Sequence, residues 1–298
     1  MRAYVIGNAT IDERFAVDRL PAGGASILGR RLSSDLGGKG LNQAVVLARA
    51  GIETLLVAAV GDDRPAALIR QGLANEPLEA RLVEIAGQAS DSSLVLSDAE
   101  GRNAIVTTTD CAGRLSPEAI ETRLADAAAG DSAVFQGNLG AATTRAALTA
   151  CRARGLKTVL NPSPVDADFR DLLSLADTVF LNEGEAQELT GRADAAALQA
   201  LQAQGVETVV LTRGAHGALL ARGGEVLTVP AVPCDVADST GAGDSFQSAA
   251  LASALRRDTA LDAKALHAAA QVAALTVSRL GTLESFPSRR EIEALLNR

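Results

Sequence analysis

Short apolar runs that alternate with amphipathic segments restrict the fold of this 298-residue chain more than any other feature. The apolar runs predict buried strands at residues 54–60, 133–135, 158–160, 178–181 and 208–211. The segments around them predict helices at residues 41–50, 65–73, 117–128, 143–154, 193–204 and 261–279. This alternation predicts an α/β fold with a doubly wound, mostly parallel sheet flanked by helices.

Two segments interrupt the alternation, residues 12–35 and 92–109. Both are partly polar and alternating, with glycine-containing turns at residues 22–24 and 98–101. They predict hairpin strands outside the main sheet. Ligands of doubly wound sheets bind beyond the carboxyl ends of the strands, so the two hairpins together are expected to form a small β-lid over that crevice. We therefore expect one domain over residues 1–298 with a lid.

Composition excludes several classes of partner. The net charge of −8 and the pI of about 4.9 disfavour binding to nucleic acid or to anionic membranes. Aromatic residues make up 2% of the chain, so stacking platforms for bases are also disfavoured. No apolar run approaches the roughly 18 residues of a membrane span, and residues 1–7 predict a first strand, not a signal peptide. Three scattered cysteines predict reduced thiols in a cytoplasmic protein.

The segment from Asp238 to Phe246, with the sequence DSTGAGDSF, carries the most chemistry. It follows a strand-like run at residues 227–236 and precedes a small-residue helix at 248–255. Glycines at a helix start leave N–H groups uncovered, and together with the helix dipole these favour an anion. Asp244 in the first turn is suited to deprotonating a hydroxyl that attacks a phosphoryl group. The alternative is that Asp and Ser only cap the helix.

Two further candidate sites lie nearer the N-terminus. One is at the start of a predicted helix, and the other follows the first predicted strand. The stretch GGKGLNQ at residues 37–43 permits close backbone approach to a ligand, and Asn42 can bind hydroxyls. Its alternative is an ordinary glycine turn with a solvated lysine. Asp12 can accept hydrogen bonds from vicinal hydroxyls, although a lone loop acid is usually only a surface carboxylate. The chain contains neither a Walker A loop nor a dinucleotide-binding GxGxxG after its first strand.

Two strand ends in the second half of the chain are candidates for binding a nucleotide and its metal. Asn182 and Glu185 end one strand and could hold magnesium through its water shell, or only form a helix N-cap. The stretch from Thr212 to Gly217 could cradle nucleotide phosphates, or only form a tight hairpin loop. The two histidines have no metal-ligand spacing, so structural zinc is not expected.

Taken in order, these motifs resemble the ribokinase-like sugar kinases, the ribokinase and fructokinase (PfkB-type) family, over essentially the whole chain. The motifs in the family's order are Gly7 with Asp12, GGKGxNQ at 37–43, NxxE at 182–185, TxG at 212–214 and DxTGAGD at 238–244, followed by SRLG at 278–281. The resemblance implies an ATP-dependent kinase that transfers the γ-phosphoryl of Mg-ATP to a primary hydroxyl of a small sugar, with ribose or a ribose-like sugar favoured.

The resemblance also implies a role for each matching residue. Asp244 would be the base, and the anion hole would be formed by Gly241, Ala242 and Gly243. The sugar would contact Asp12, Thr10, Gly38, Lys39, Asn42 and Asn138. The nucleotide would contact Thr212, Gly214, Gly217 and Gly243, and magnesium would be organised through water by Asn182 and Glu185. A potassium ion would be held, partly by backbone carbonyls, by Asp238, Thr240, Thr276, Arg279, Gly281 and Ser285. Activation by potassium over sodium or choline is therefore expected.

Two departures from the family pattern leave the substrate open. Thr10 stands where ribokinases usually have Asn, and Asn138 stands where they usually have Glu. The alternatives are a phosphosugar kinase, a nucleoside kinase, or a catalytically silent sugar or nucleotide sensor on the same fold. A phosphosugar would need extra cations, for which the lid offers Arg30, Arg31 and Arg102, although these could equally be solvated surface residues. The family's lids often pair, so a homodimer to which residues 104–106 contribute is expected.

Overall fold

A computed structural model describes residues 1–98, 100 and 102–297. Within them, a nine-stranded sheet has the strand order β13-β12-β11-β10-β9-β8-β1-β4-β5. Its strands are β1 Ala3–Asn8, β4 Thr54–Val60, β5 Glu79–Glu84, β8 Ser132–Gln136, β9 Lys157–Asn161, β10 Thr178–Asn182, β11 Thr208–Thr212, β12 Ala218–Arg222 and β13 Glu225–Val229. The neighbouring strands from β5 to β11 run parallel, and β12 and β13 add an antiparallel edge.

Helices cover both faces of this sheet. They are α1 Lys39–Arg49, α2 Arg64–Leu73, α3 Pro117–Arg123, α4 Ala141–Ala153, α5 Glu183–Thr190, α6 Ala195–Ala203, α7 Ala242–Arg256, α8 Ala263–Val277 and α9 Arg289–Leu296. The predicted α/β fold with a mostly parallel sheet is confirmed. Because the central strands are buried on both faces, their sequences are continuous apolar runs, and such runs are what made them visible in the sequence.

Successive residues of each central strand enter two separate apolar cores. Val5 and Leu56 face the core under α1, α7 and α8, whereas Ile6 and Val57 face the core on the opposite side of the sheet. On the α7 side, much of the buried helix surface is alanine, from Ala249 to Ala269. Small side chains let helices approach the sheet closely, so this chain builds a dense interior with few aromatic residues.

Three local predictions differ from the structure. The predicted strand at 227–236 ends at Val229, since Pro230 and Pro233 have no N–H to continue a ladder. The predicted helix at 117–128 ends earlier, at Arg123. The strands β5, at one edge of the sheet, and β12, between β11 and β13, did not appear among the predicted strands. The edge strand β5 is half-polar and lacks the continuous apolar pattern of buried strands.

The two irregular segments pair as one small sheet with the strand order β3-β2-β6-β7. Its strands are β2 Thr10–Val17, β3 Gly29–Gly37, β6 Ser92–Ser97 and β7 Asn103–Thr107. β2 starts two residues after β1 ends, so this small sheet grows directly from the carboxyl edge of the main sheet. Of the predicted turn at 98–101, Ala99 and Gly101 lie outside the described residues.

The part of the chain that the structure describes contains no helix long and apolar enough to cross a membrane.

Candidate active site

A cleft of about 500 Å³ opens between the carboxyl ends of the main strands and the small sheet. Sequence-predicted residues that line it are Asp12, Gly38, Lys39, Asn42, Asn138, Asn182, Glu185, Thr212, Thr240, Gly241, Ala242, Gly243 and Asp244. The cleft lining does not include Thr10, Gly214, Gly217, Asp238, Thr276, Arg279, Gly281 or Ser285. The structure thus brings the expected base, the anion hole and the expected sugar-binding residues other than Thr10 into one cavity, while the expected potassium ligands other than Thr240 do not line it.

The first turn of α1 lies against the end of β1, and glycine makes this contact possible. Gly38 precedes the helix at φ 95°, a conformation that favours glycine. A Cβ atom on Gly40 would lie 2.8 Å from the backbone nitrogen and oxygen of Asn8. The close approach places Lys39 and Asn42 at the cleft, as the sequence predicted for a ligand-approaching glycine turn.

Asp244 is buried in the first turn of α7, where two amide groups orient its carboxylate. Asn42 donates from Nδ2 to Oδ2 at 3.0 Å, and Gln43 donates from Nε2 to Oδ1 at 2.9 Å. Both donors come from α1, so the carboxylate is held in one orientation across the interface between α1 and α7. A base must meet its hydroxyl in a fixed geometry, and this arrangement provides it.

Gln43 is a positioning residue for which the sequence analysis predicted no role. Its Oε1 accepts hydrogen bonds from Nε2 of Gln136 at 2.7 Å and from Nε2 of Gln247 at 3.2 Å. Two buried amides therefore fix the direction in which Gln43 presents its own N–H to Asp244. A second amide side chain directly after Asn42, ahead of the apolar run AVVLA, was the available sequence signal. Its partners were not predictable, because they lie on β8 and α7.

Replacing Gln43 by Leu should lower kcat about tenfold while changing the KM for sugar less than twofold, since one hydrogen bond that orients the base is lost. Steady-state kinetics would separate the two constants. Gln71→Leu, an exposed change on α2, is the matched control and should leave both constants unchanged. A rise in KM of about tenfold with unchanged kcat would show that Gln43 serves substrate binding instead.

The start of α7 is shaped to receive an anion. Gly241 precedes the helix in the left-handed conformation at φ 76°, and a Cβ atom there would lie 2.7 Å from the ring of Phe286. The N–H of Ala242 makes only a long bond of 3.3 Å, to the carbonyl of Ser239. N–H groups in the first turn of a helix have no intrahelical acceptor, so those of Ala242 and Gly243 can bind an anion in the cleft.

Asp12 is nearly buried under the small sheet. Thr10 donates to its Oδ1 at 2.7 Å, and Thr282 lies 3.4 Å from its Oδ2. Burial raises the pKa of the Asp12 carboxyl above its ordinary value, although hydrogen bonds from Thr10, Ser93 and Thr282 oppose the change. Thr10 therefore acts through Asp12: it occupies one oxygen of that carboxylate and does not line the cleft itself.

Two buried acceptors in the cleft have no partner among the described residues. They are Oδ1 of Asn42 and Oδ1 of Asn138. A buried carbonyl oxygen without a donor costs free energy, and a ligand hydroxyl would relieve that cost. Together with the Asp12 carboxylate, these oxygens suit a molecule rich in hydroxyl groups.

Asn182 and Glu185 are engaged in capping α5. The Oδ1 of Asn182 accepts the N–H of Glu185, and Oε2 of Glu185 accepts the N–H of Asn182, each at 2.9 Å. Both residues also line the cleft, so the Nδ2 of Asn182 and the second carboxylate oxygen of Glu185 are available to ligands. In the described residues there is no group of three His, Cys, Asp or Glu that could hold a metal directly. The donor set thus fits a hydrated magnesium that ATP phosphates also hold.

The loop from Thr212 to Gly217 is a hairpin connection between β11 and the antiparallel β12. The N–H of Arg213 bonds the carbonyl of Gly217 at 2.8 Å, which closes the loop on itself. A side chain on Gly217 would overlap the backbone at the end of β13. Thr212 reaches the cleft, whereas Gly214 and Gly217 serve the turn.

Asp238, the carboxylate expected to bind potassium, is paired with Arg14 of β2. Its Oδ1 also accepts the N–H of Thr240 at 3.0 Å, and its Oδ2 faces the N–H of Gly281 at 3.3 Å. No sequence signal had singled out Arg14. Every oxygen of the expected carboxylate ligand is thus bonded within the protein, and a guanidinium already supplies the positive charge. The residues present do not fit the expected potassium site.

The arginines of the small sheet do not point to a phosphosugar. Arg31 pairs with Glu13, and Arg102 pairs with Asp98 and Glu100; both arginine side chains are exposed and neither lines the cleft. Arg30 is exposed and is absent from the cleft lining, where Lys39 is the one basic side chain among the described residues. Phe180 is likewise the one aromatic ring among the described lining residues, which leaves little for a nucleobase to stack on.

Comparisons with known proteins agree with this geometry. The family model described as "pfkB family carbohydrate kinase" matches residues 2–289. A ribokinase of Haemophilus influenzae is 28% identical over 96% of this chain and 95% of its own length. A deoxyribokinase of Salmonella typhi is 28% identical over 100% of this chain and 99% of its own. The crystal structure of a Cryptococcus neoformans ribokinase in complex with ADP superposes with a TM-score of 0.84 at 27% identity, over 98% of this chain and 99% of that one.

Proposed function

Because the chain belongs to the pfkB family of carbohydrate kinases, and is thus an ATP-dependent phosphotransferase acting on a sugar hydroxyl, we propose that it transfers the γ-phosphoryl of Mg-ATP to a primary hydroxyl of ribose or a ribose-like sugar. One observation carries the proposal. The oriented carboxylate of Asp244 and the free N–H groups at the start of α7 line the same cleft as Asp12.

Each group has a distinct task in the proposed reaction. Asp12, Asn42 and Asn138 bind sugar hydroxyls and hold the reacting one beside Asp244. Asp244 takes the proton as the hydroxyl oxygen attacks the γ-phosphorus. The bond from that phosphorus to the β,γ-bridging oxygen breaks and ADP leaves. The N–H groups of Gly241, Ala242 and Gly243 stabilise the charge on the transferring phosphoryl oxygens.

We assign the magnesium to the nucleotide side of the cleft, near Asn182 and Glu185. Magnesium neutralises phosphate charge during the transfer. The capping box leaves one oxygen of Glu185 to bond a metal-bound water, and it fixes the direction of that oxygen. Thr212, at the end of the neighbouring strand β11, lies on the same side and would contact the nucleotide. Potassium is not part of this proposal, because Arg14 occupies the carboxylate that would bind it.

Thr10 and Asn138 are the expected determinants of sugar choice. Thr10 donates to Oδ1 of Asp12, so one oxygen of that carboxylate is already bonded before a substrate binds. Asn138 presents a neutral oxygen where the family usually has a charged one. Buried groups that bond a substrate hydroxyl discriminate strongly against analogues that lack it. Because a ribokinase and a deoxyribokinase are each 28% identical to this chain, ribose and deoxyribose both belong among the sugars to be tested.

The test is ADP release by the purified protein with Mg-ATP and a panel of acceptors. The panel holds ribose, deoxyribose, other pentoses, ketohexoses, nucleosides and phosphosugars, with Asp244→Asn as the blank. Turnover on a free pentose supports the proposal. Turnover only on a phosphosugar or a nucleoside selects that alternative, and Lys39 or Phe180 then becomes the residue to examine. Nucleotide binding without turnover on any acceptor would support the sensor.

The small sheet is proposed to close over the sugar and to pair with the same sheet of a second copy. Leu94 and Val106 pair across β6 and β7 and are 41% and 67% exposed, so they are the candidate contact surface. Ile105, which is 55% exposed, lies on the opposite face and lines the cleft. We predict a dimer by light scattering. Val106→Glu should convert the dimer to a monomer, because an unpaired charge would be buried at the dimer interface. A monomeric mass for the unaltered protein would end the proposal.

The proposed location is the cytoplasm. The three cysteines, Cys111, Cys151 and Cys234, form no disulfide with one another, and free thiols are typical of reducing compartments.

A further inference from the structure

A buried ion pair joins the small sheet to the loop that leads into the anion hole. Arg14 lies on β2, and its guanidinium contacts the carboxylate of Asp238. The two side chains are only 5% and 3% exposed. Nη1 of the same guanidinium is buried and has no partner among the described residues. Because desolvating both charges is costly, stabilisation of the fold does not by itself explain why this pair is buried.

The position of Asp238 explains why a cation is required there. Its Oδ1 accepts the N–H of Thr240, the residue before Gly241, so the carboxylate is part of the scaffold of the anion hole. A lone negative charge so close to that hole, in a medium of low dielectric constant, would repel the incoming phosphoryl group. A positive charge paired with the Asp238 carboxylate removes the repulsion without occupying the anion hole itself.

The ionised state of Asp238 depends on this partner. Burial alone raises the pKa of Asp238. The hydrogen bonds from Arg14 and Thr240, with the charge of Arg14, outweigh burial and hold its pKa below the ordinary value. Arginine keeps its own charge at every working pH, so the pair is permanent.

Two of the other groups expected around a potassium ion are engaged internally, whereas Oγ1 of Thr240 is buried without a partner among the described residues. The carbonyl of Thr276 accepts the N–H of Arg279 at 3.1 Å. The hydroxyl of Ser285 donates to the carbonyl of Thr282 at 2.7 Å, and the side chain of Arg279 pairs with Glu291. The loop is therefore held by its own hydrogen bonds and by Arg14.

We propose that the guanidinium of Arg14 is a built-in replacement for the monovalent cation, so that this kinase works without potassium. The inference rests on the proposed function and goes beyond it. The cation would be covalently part of the small sheet, and the small sheet would thus be tied to the anion-hole loop at all salt compositions. Removal of the guanidinium should leave a buried carboxylate that an external cation can neutralise.

The test compares ADP release in potassium, sodium and choline chloride at equal ionic strength, for the unaltered protein, Arg14→Met and Arg81→Met. Methionine keeps an apolar stem of similar length without the charge. Arg81, on β5 away from the cleft, is also a partly buried arginine, paired with Asp126 and Glu79. It controls for the general loss of an ion pair. Thermal unfolding of each protein in the same three salts gives a readout that needs no turnover.

The unaltered protein and Arg81→Met should have rates within about twofold in all three salts. Arg14→Met should be at least about tenfold slower in choline, because its buried carboxylate is uncompensated, and potassium should restore part of the loss. Its unfolding temperature should likewise rise in potassium relative to choline. Activation of the unaltered protein by potassium of about tenfold or more, or its selective thermal stabilisation by potassium, would overturn the proposal.

The measurements distinguish a failure of the proposed function from a failure of the proposed role of Arg14. If Arg14→Met does not fold, Arg14→Lys retains a positive charge, and its rates should not depend on potassium. If no acceptor is phosphorylated in any salt, the proposed function fails. The thermal comparison of the unaltered protein then still decides whether potassium binds selectively.

Discussion

Asp244→Asn is expected to lower turnover by about two or more orders of magnitude while leaving sugar affinity nearly intact. The substitution removes the proton acceptor but keeps the size and shape of the side chain. The protein can accommodate the new amide locally. Asn42 has an unpartnered Oδ1, so a flip of its amide turns the present donor into an acceptor for the introduced N–H.

Steady-state kinetics with the preferred sugar would give kcat, and equilibrium titration would give sugar affinity without turnover. Gln71→Leu on the exposed face of α2 again serves as control for handling and folding. A parallel loss of sugar binding and turnover would contradict the role of Asp244 as base and would make it a substrate-binding residue.

Asp12→Asn is expected to have two opposite effects. It should lower kcat/KM for the sugar by about a hundredfold or more, because a charged acceptor contributes roughly 1.5–3 kcal/mol to each hydrogen bond it makes. It should also raise the unfolding temperature. Burial disfavours the ionised carboxyl of Asp12 in the folded state and raises its pKa, so the uncharged amide removes that penalty.

The pH dependence of Asp12→Asn has a definite sign. Because the folded-state pKa of Asp12 is raised, its ionised form costs stability at neutral pH, and that cost disappears as the pH falls through the raised pKa. The thermal advantage of Asp12→Asn should therefore shrink on acidification. Over the same interval, the KM of the unaltered protein for its sugar should rise as Asp12 becomes protonated.

A second carboxylate with the opposite environment provides the control. Asp63 caps α2 and accepts hydrogen bonds from the N–H groups of Ala66 and Ser90 and from the hydroxyl of Ser90. Although burial opposes the change, these bonds hold the pKa of Asp63 below its ordinary value. Asp63→Asn should lower the unfolding temperature. If both substitutions destabilise the protein equally, the buried, ionised carboxylate of Asp12 does not cost the folded state stability.

The local parts of the site were predictable because their chemistry resides in consecutive residues. The anion hole needs only glycines before a helix, and the base needs only an acid in the first turn, so residues 238–244 are sufficient to indicate both. The approach of α1 to β1 similarly follows from the glycines at 37–40. The main sheet was visible because strands buried on both faces must be continuously apolar.

The contacts that adjust the site were not predictable, because they join residues far apart in the chain. Gln43 bonds Asp244 across 201 positions, and Asn42 does so across 202. Thr10 was predicted to touch the sugar, but its hydroxyl is directed at Asp12, and only the pairing of β2 with its neighbours decides that direction. The same pairing brings Arg14 onto Asp238.

The sequence by itself determined the fold class, the small sheet's two segments and the motif at residues 238–244 proposed to be catalytic, since each follows from local periodicity and from residues adjacent in the chain. Only the tertiary structure decided which amides orient the base and which cation neutralises Asp238. Those choices depend on which side chains long-range packing brings within hydrogen-bonding distance, and a composition or spacing pattern does not encode that distance.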